Sequence, residues 1–119
     1  MINPKPEILT ALEGNTALTG LLGGKRIYFM KAPHADEFPR ITFFEIDNIG
    51  ALYADDQELG STIYVQLDIW SKGSTSTIAE EVDETMKTLG YGRSAAADLF
   101  EQDTLIFHKA MRYKTLKEG

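Results

Sequence analysis

The sequence predicts an α+β fold, an antiparallel sheet of about four to five strands with two helices packed on one face. The first observation is a segment, residues 62–72, in which apolar and polar side chains alternate. The second is a segment after Thr77 whose apolar residues recur with helical spacing. The third is the order helix, strand, strand, strand, helix, strand, strand. Each amphipathic element needs a partner for its apolar side, so the helices are expected on one face of the sheet.

The N-terminal segment predicts one helix that is broken at Gly14 and Asn15. Pro4 and Pro6 stand at its start, where the missing N–H of proline leaves no helical hydrogen bond unmade. Two groups of apolar residues then follow the helical spacing, Ile8, Leu9 and Leu12 before the break and Leu18, Leu21 and Leu22 after it. Gly23 and Gly24 predict the end of this helix.

Two strands are predicted next, a short one at residues 26–30 and a longer one at residues 40–48. Between them lies a polar loop with prolines near both ends. Residues 49–61 predict a long, acidic, glycine-bounded connection in which Leu52, Tyr53 and Leu59 are embedded. Loops of this length in compact domains are usually functional or mobile.

The strand at residues 62–72 predicts one buried face and one outward face. Ile63, Val65, Leu67 and Ile69 form the apolar row. The opposite row contains Tyr64, Gln66, Asp68 and Trp70. Aromatic residues on a solvent face are enriched where another protein docks. A loop of the same chain covering Trp70 is the alternative, and the sequence leaves both open.

The second helix is predicted to start at Thr77, which has the spacing of a capping box with Glu80. Its apolar stripe contains Ile78, Val82, Met86 and Leu89, and its other face contains Glu80, Glu81, Asp83 and Glu84. Residues 90–96 predict a turn, and residues 97–103 and 104–116 predict the last two strands.

Length and composition bound the function. A chain of 119 residues fits a single domain, residues 1–119, and the absence of cysteine excludes disulfides and thiolate metal sites. A net charge of −6 disfavours tight binding to free DNA. No apolar run reaches the length of a membrane span, and the N-terminus does not resemble a secretory signal. We therefore expect no membrane partner.

The charges are unevenly distributed along the chain. Between Glu45 and Glu58 there are five acids and no base, whereas residues 104–119 contain four bases and one acid. These segments are either two solvated surfaces or complementary patches between copies of the chain. The candidate protein-interface residues are Leu52, Tyr53, Asp55, Asp56, Glu58, Tyr64, Trp70, Lys109, Arg112 and Lys114.

The sequence contains no motif for catalysis, and we expect neither an enzyme nor a cofactor. Asp55, Asp56 and Glu58 lack the order of a calcium loop, so a solvated acidic loop is expected there. No Gly-x-Ser-x-Gly turn or phosphate-binding loop occurs. His34 is expected to be solvated, and His108 to lie in an outward polar row with Arg112 and Lys114.

The order of several short motifs resembles the tail-completion, tail-terminator or head-to-tail joining proteins of tailed bacteriophages and prophages. The elements are Arg26-Ile27-Tyr28, Ala32-Pro33, Pro39-Arg40-Ile41-Thr42-Phe43 and Val65-Gln66-Leu67-Asp68-Ile69-Trp70-Ser71, with a helix after Thr77. The resemblance spans roughly residues 8–90, and the final strands agree in kind only. One departure is Arg40, where relatives often have an aromatic residue after the proline.

This resemblance implies a structural protein at the end of the tail tube or at the connector exit, present as a ring of identical subunits, possibly a hexamer. It implies tail-tube and connector proteins as partners, with DNA only passing through, in the bacterial cytoplasm during assembly and then in the virion. Two alternatives stay open from the residues alone. One is a small ligand-binding or regulatory α+β domain with a pocket beneath the acidic segment, and the other is an enzyme using Asp68 or His34.

Overall fold

The computed structural model describes residues 1–54 and 57–118, with the side chains of residues 51–54 outside the description. The described residues form three helices and five strands. In chain order these are α1 (Lys5–Gly14), α2 (Thr16–Leu22), β1 (Ile27–Phe29), β2 (Arg40–Ala54), β3 (Gln57–Ser71), α3 (Ser76–Thr88), β4 (Gly92–Glu101) and β5 (Ile106–Glu118).

The strands form one sheet in the order β1-β2-β3-β5-β4. The pairs β2–β3, β3–β5 and β4–β5 are antiparallel, whereas β1 lies parallel to β2. The predicted α+β class and the predicted order of elements are confirmed. The parallel pair makes the sheet mixed, because the loop at residues 30–39 returns the chain to the same end of the sheet before β2 begins.

The helices cover one face of the sheet, which we call the inner face. Its central residues on β3 are the predicted apolar row Ile63, Val65, Leu67 and Ile69, all at most 1% exposed. They pack in one cluster with apolar side chains of all three helices, including Ile8, Leu12, Leu18, Leu22, Ile78, Val82 and Met86. The core confirms the predicted stripes on the helices.

The break between α1 and α2 is fixed by Asn15. Its side-chain oxygen accepts a hydrogen bond from the Leu18 N–H at 3.0 Å, which caps α2, and its amide donates to Thr85 Oγ1 at 3.0 Å. One side chain therefore ends the first helix, begins the second and connects both to α3.

The prediction of a long acidic connection at residues 49–61 is wrong. β2 continues to Ala54 and β3 begins at Gln57, so that Ile49 pairs with Thr62 and Ala51 pairs with Gly60. Glycine and acidic residues are unfavourable in strands, but the pairing across this hairpin, extended by β5 as far as Gly60, outweighs that local preference. Asp55 and Asp56 lie outside the described residues.

The prediction of a capping box at Thr77 and Glu80 is also wrong. α3 begins at Ser76, and Thr75 in the N-cap position makes no side-chain capping hydrogen bond. The Ser74 hydroxyl instead accepts a hydrogen bond from the Ser76 N–H at 3.3 Å, which starts the helix before Thr77.

The turn predicted at residues 90–96 is shorter than expected. Gly90, with φ of 89°, ends α3 in the left-handed conformation that glycine adopts without strain, and β4 starts at Gly92. Alanines at positions 95–97 have little intrinsic preference for a strand, but they pair with residues 110–112 of β5. β4 is thereby an edge strand of ten residues.

Candidate protein-interaction surface

The face of the sheet opposite the helices, which we call the outer face, contains the row predicted to point outward. Tyr64, Gln66 and Trp70 are half-buried on it, while Asp68 is buried. His108 and Arg112 on β5 pair with Trp70 and Gln66 on β3. Because directly paired residues point to the same face of a sheet, both lie on the outer face. The predicted outward row of His108, Arg112 and Lys114 is confirmed.

A polar network connects the strands across the middle of the outer face. His108 Nε2 lies 2.7 Å from Asp68 Oδ1, which also accepts a hydrogen bond from Gln66 at 2.8 Å. The Trp70 ring stacks on His108 with centroids 3.8 Å apart, and its indole N–H donates to Thr42 Oγ1 at 3.0 Å. These contacts satisfy the polar atom of each aromatic group and fix the rings against the sheet.

Trp70 is therefore partly covered by its own chain. The space beside its ring measures 240 Å³ and is lined by Met30, Ala32 and Arg40, among others. The predicted role of Trp70 in docking stays a prediction, with one face of its ring already covered by His108.

Arg112 and Lys114 are the exposed cations of the outer face. The Arg112 side chain donates to Gln66 Oε1 at 3.0 Å, and the Lys114 ammonium lies 5.6 Å from the centroid of the Tyr64 ring. Both contacts hold the side chains over the sheet while their charges stay in contact with solvent. The outer face thus presents two fixed positive charges on β5.

Lys109, the third basic residue predicted for this patch, lies on the inner face. It pairs with Ile69 and Asp98, and its ammonium lies 3.2 Å from Asp98 Oδ1. Along β5 it lies an odd number of residues from both Arg112 and Lys114, and an odd spacing reverses the direction of the side chain. The structure therefore does not place it with them on one surface.

Among the acids of residues 49–61, Glu58 is the one that the structure describes. Its carboxylate accepts from the Ser61 hydroxyl at 2.8 Å and lies 3.7 Å from the N-terminal ammonium. Asp55, Asp56 and the side chains of Leu52 and Tyr53 lie outside the described residues, so their part in an interface stays a prediction.

The alternative of a ligand pocket beneath the acidic segment gains no support from the described residues. The cavity beside Glu58 measures 150 Å³ and is lined by Met1, Ile2, Leu59 and Gly60 as well. Small-molecule sites usually measure about 300–1,000 Å³ and combine apolar walls with several convergent polar groups.

A charge cluster that the sequence did not reveal lies around the partly buried Asp83 on the inner face. Asp83 accepts a hydrogen bond from the Tyr113 hydroxyl at 2.8 Å and contacts Arg93 at 2.9 Å and Lys87 at 3.1 Å. Burial opposes ionisation of Asp83, but the hydrogen bonds from Tyr113 and Lys87 and the charge of Arg93 hold its pKa below the ordinary 3.8. The one sequence signal was the position of Asp83 on the acidic face of α3.

Tyr113 and Tyr91 are buried tyrosines with raised pKa values. Burial and the hydrogen bond to Asp83 raise the pKa of Tyr113 far above its ordinary 10.0. Burial, with the nearby carboxylates Glu7 and Glu45, raises the pKa of Tyr91 to about 12. Tyr113 joins the sheet to α3 in its neutral form, whereas the Tyr91 hydroxyl is buried at the hydrophobic core with no hydrogen-bond partner among the described residues.

The residues considered for chemistry are dispersed. His34 is exposed in the loop at residues 30–39, whereas Asp68 is held by His108 under the stacked Trp70. Within residues 1–54 and 57–118, no group of three or more His, Asp or Glu side chains is arranged to hold a metal ion. No helix of the described chain is long and apolar enough to cross a membrane.

These features define a structural α+β domain with a long sheet, two different sheet edges and a charged outer face. The chain belongs to the family of the tail completion protein gp17, whose model matches residues 6–118. It is accordingly a structural tail-completion protein of a phage or phage-like particle.

A solved structure has a similar fold. It is described as "Virion of native gene transfer agent (GTA) particle", and one of its chains superposes with a TM-score of 0.69 at 12% identity, covering 94% of this chain and 92% of that chain. The comparison with curated proteins gives no match. The family resemblance expected from the sequence is confirmed by the family match, and the structural neighbour supports the fold.

Proposed function

We propose that the protein completes the tail by assembling as a ring of identical subunits at the end of the tail tube or at the connector exit. The family match over residues 6–118 is the observation that carries this proposal. A ring requires a heterologous interface, in which two different surfaces of each subunit meet. The described sheet has such surfaces, since β1 at one edge and β4 at the other differ in length and in side chains.

The partners of this ring are further copies of the chain, tail-tube subunits and connector proteins. A ring of six is the number that the family resemblance suggests. The ring assembles in the bacterial cytoplasm and becomes part of the virion, and DNA passes through it without being bound specifically. This role requires no catalytic step, only surfaces that fit each other.

Opposite charges are expected to contribute to the contacts between subunits. Arg112 and Lys114 project from β5, and Glu45, Asp47 and Glu58 belong to the acid-rich segment that also contains Asp55 and Asp56. Contacts between exposed opposite charges weaken as salt screens them. The proposal therefore includes pairing of the acid-rich segment of one copy with the outer face of β5 in the next.

Sedimentation velocity at several protein concentrations, with and without about 0.5 M salt, tests the proposal. We expect a discrete ring that dissociates at high salt, and weaker assembly when Asp55 and Asp56 are both replaced by lysine. The variant Arg112→Glu/Lys114→Glu should show the same defect, and combining all four changes should restore assembly. Unchanged assembly and salt dependence in both double variants would show that these charges do not form the contact.

If the purified chain is monomeric, the same comparison is made in the presence of isolated tails that lack it. Ring formation at the tail end would support the proposal. A monomer that also fails to bind tail ends would overturn it.

A further inference from the structure

β4 is an unusually open edge strand. All ten of its residues are exposed, and it is paired only with β5 on one side. Proteins usually protect sheet edges with short strands, prolines or charged residues, because unpaired N–H and C=O groups invite another strand. The stretch from Ala95 to Ala97 contains none of these protections.

The inner face next to β4 is an open apolar groove. Phe100 and Phe107 form its wall, with ring centroids 4.8 Å apart, and both are 43% exposed. The groove measures 530 Å³ where residues 74–76 form its other side. Past Ser76 lies a second space of 340 Å³ over Ala96 and Met111, which the charged side chains of Glu80, Asp83, Arg93 and Lys109 also line. The groove exists because the sheet extends one strand beyond α3.

The opposite edge of the sheet carries an apolar projection. Phe29 on β1 is 42% exposed, although its ring packs edge-on against the buried Phe43 with centroids 5.7 Å apart. The Lys5 ammonium lies 4.5 Å from the centroid of the Phe29 ring. Phe29 pairs with the inward-facing Phe43, so an aromatic ring and a positive charge lie together at this edge on the inner side.

The strand register places the two edges at the same height. Phe29 is level with Phe43, which pairs with Leu67, then Met111 and finally Ala96. By the same route Ile27 is level with Asp98, through Ile41, Ile69 and Lys109. β1 thus matches the segment Ala96–Asp98 without any shift along the strands.

The strand directions match as well. β1 runs parallel to β2, and the three antiparallel pairs that follow across the sheet make β4 antiparallel to β1. A copy rotated about an axis along the strands keeps its orientation and brings its β1 antiparallel to β4 of its neighbour. Repetition of that step gives a closed ring when the rotation closes.

Charge also favours this pairing. Asp98 beside the groove is 78% exposed even though it lies 3.2 Å from Lys109, while Lys5 stands over Phe29 on the opposite edge. Opposite charges on the two edges steer subunits into this arrangement and oppose pairing of two identical edges.

We propose that the β4 edge binds the β1 edge of a second copy of this chain, with Phe29 of that copy packing beside Ala96 and Met111 and its Lys5 meeting Asp98. This inference rests on the proposed ring and identifies its interface. β4 and β1 add antiparallel main-chain hydrogen bonds, while the groove and the aromatic ring set the specificity.

Blocking each edge separately tests the inference. Phe29→Asp removes the projection and leaves the β4 edge intact, and Ala96→Asp does the reverse by placing a charge where Phe29 would pack. Each variant alone should self-associate at least about tenfold more weakly than the natural chain. A mixture of the two should form a dimer and stop there, because one functional interface remains. Leu21→Asp, at a leucine of α2 that is 42% exposed and lies on neither sheet edge, is the matched control and should assemble normally.

Disulfide trapping detects the same contact when free subunits associate weakly. The chain has no cysteine, so Lys5→Cys and Asp98→Cys introduce the only thiols. A mixture of these variants should cross-link faster than Lys5→Cys mixed with Leu116→Cys, and a chain with both changes should give a ladder ending at the ring size. Circular dichroism melting checks that every variant is folded.

The outcomes separate this inference from the proposed function. Rings of the natural chain, together with normal assembly of Phe29→Asp and Ala96→Asp and no selective cross-link, would overturn the interface and leave the ring standing. A natural chain that forms no ring even on isolated tails would overturn the ring. A mixture that stops at the dimer, together with a selective cross-link, supports the proposed interface.

Discussion

Replacing Phe43 by alanine is expected to lower the free energy of unfolding by about 3–5 kcal/mol. Phe43 is 1% exposed on the inner face of β2, where it pairs with Leu67 and packs against Phe29. Its removal leaves a cavity in the cluster that joins the helices to the sheet. Because small domains are stable by only about 5–15 kcal/mol, this one change removes much of the total. Urea unfolding at neutral pH measures it.

Phe44→Ala is the matched control for this prediction. Phe44 is the next residue on the same strand, but it is half-buried on the outer face, paired with Gln66. Its replacement should cost clearly less. Equal losses for the two variants would contradict the assignment of the core to the inner face. A single cooperative transition is expected for both, as for one domain.

Stability is expected to fall steeply above pH 10 because of Tyr113 and Tyr91. Both pKa values are raised in the folded chain, that of Tyr91 to about 12. A raised folded pKa gives stability that is fully present below the unfolded value of 10.0 and is lost as pH rises towards the folded value. Each tyrosine should contribute a loss of roughly 1.4 kcal/mol per pH unit in that window.

Unfolding in urea between about pH 9 and pH 11.5, compared with the variant Tyr91→Phe/Tyr113→Phe, isolates this contribution. Lysines also lose their charge in this range, and they do so in both proteins. The double variant should be less sensitive to pH above 10. Parallel pH profiles for the two proteins would show that the tyrosines are not the source of the loss. Tyr113→Phe also leaves Asp83 without its hydroxyl donor, so the comparison concerns the slope and not the absolute stability.

The sequence predicted the elements whose amphipathic pattern was complete. The alternation from Ile63 to Ile69 identified the central strand and its buried face, and the spacing of Ile78, Val82 and Met86 identified α3. In these segments local pattern and tertiary packing favour the same structure. Predictions failed where pairing with a distant strand decided the outcome, as in residues 49–54 and 92–96. Glycine, acidic residues and alanine have a low intrinsic preference for strands, so local propensity does not predict such strands.

The candidate surface was predicted less completely, for a related reason. Position along β5 was enough to group His108, Arg112 and Lys114 on one face. It was not enough to predict the contact of Asp68 with His108, which is 40 positions away. Nor did it predict the hydrogen bond between Asp83 on α3 and Tyr113 on β5, which are 30 positions apart. The groove beside Phe100 also depends on where α3 ends relative to the last strand. No local sequence pattern predicts the distance between α3 and the edge strand.

Assembly of particles without the protein is the most direct test of its role in completing the tail. The gene that encodes this chain is deleted in its phage or prophage, and particles are examined by negative-stain electron microscopy before and after addition of purified protein. The account predicts filled heads separate from tails, with the added protein, marked by gold, at one end of each tail and joined particles restored. Normal joined particles in the deletion, or gold along the tail with no preference for an end, would contradict it.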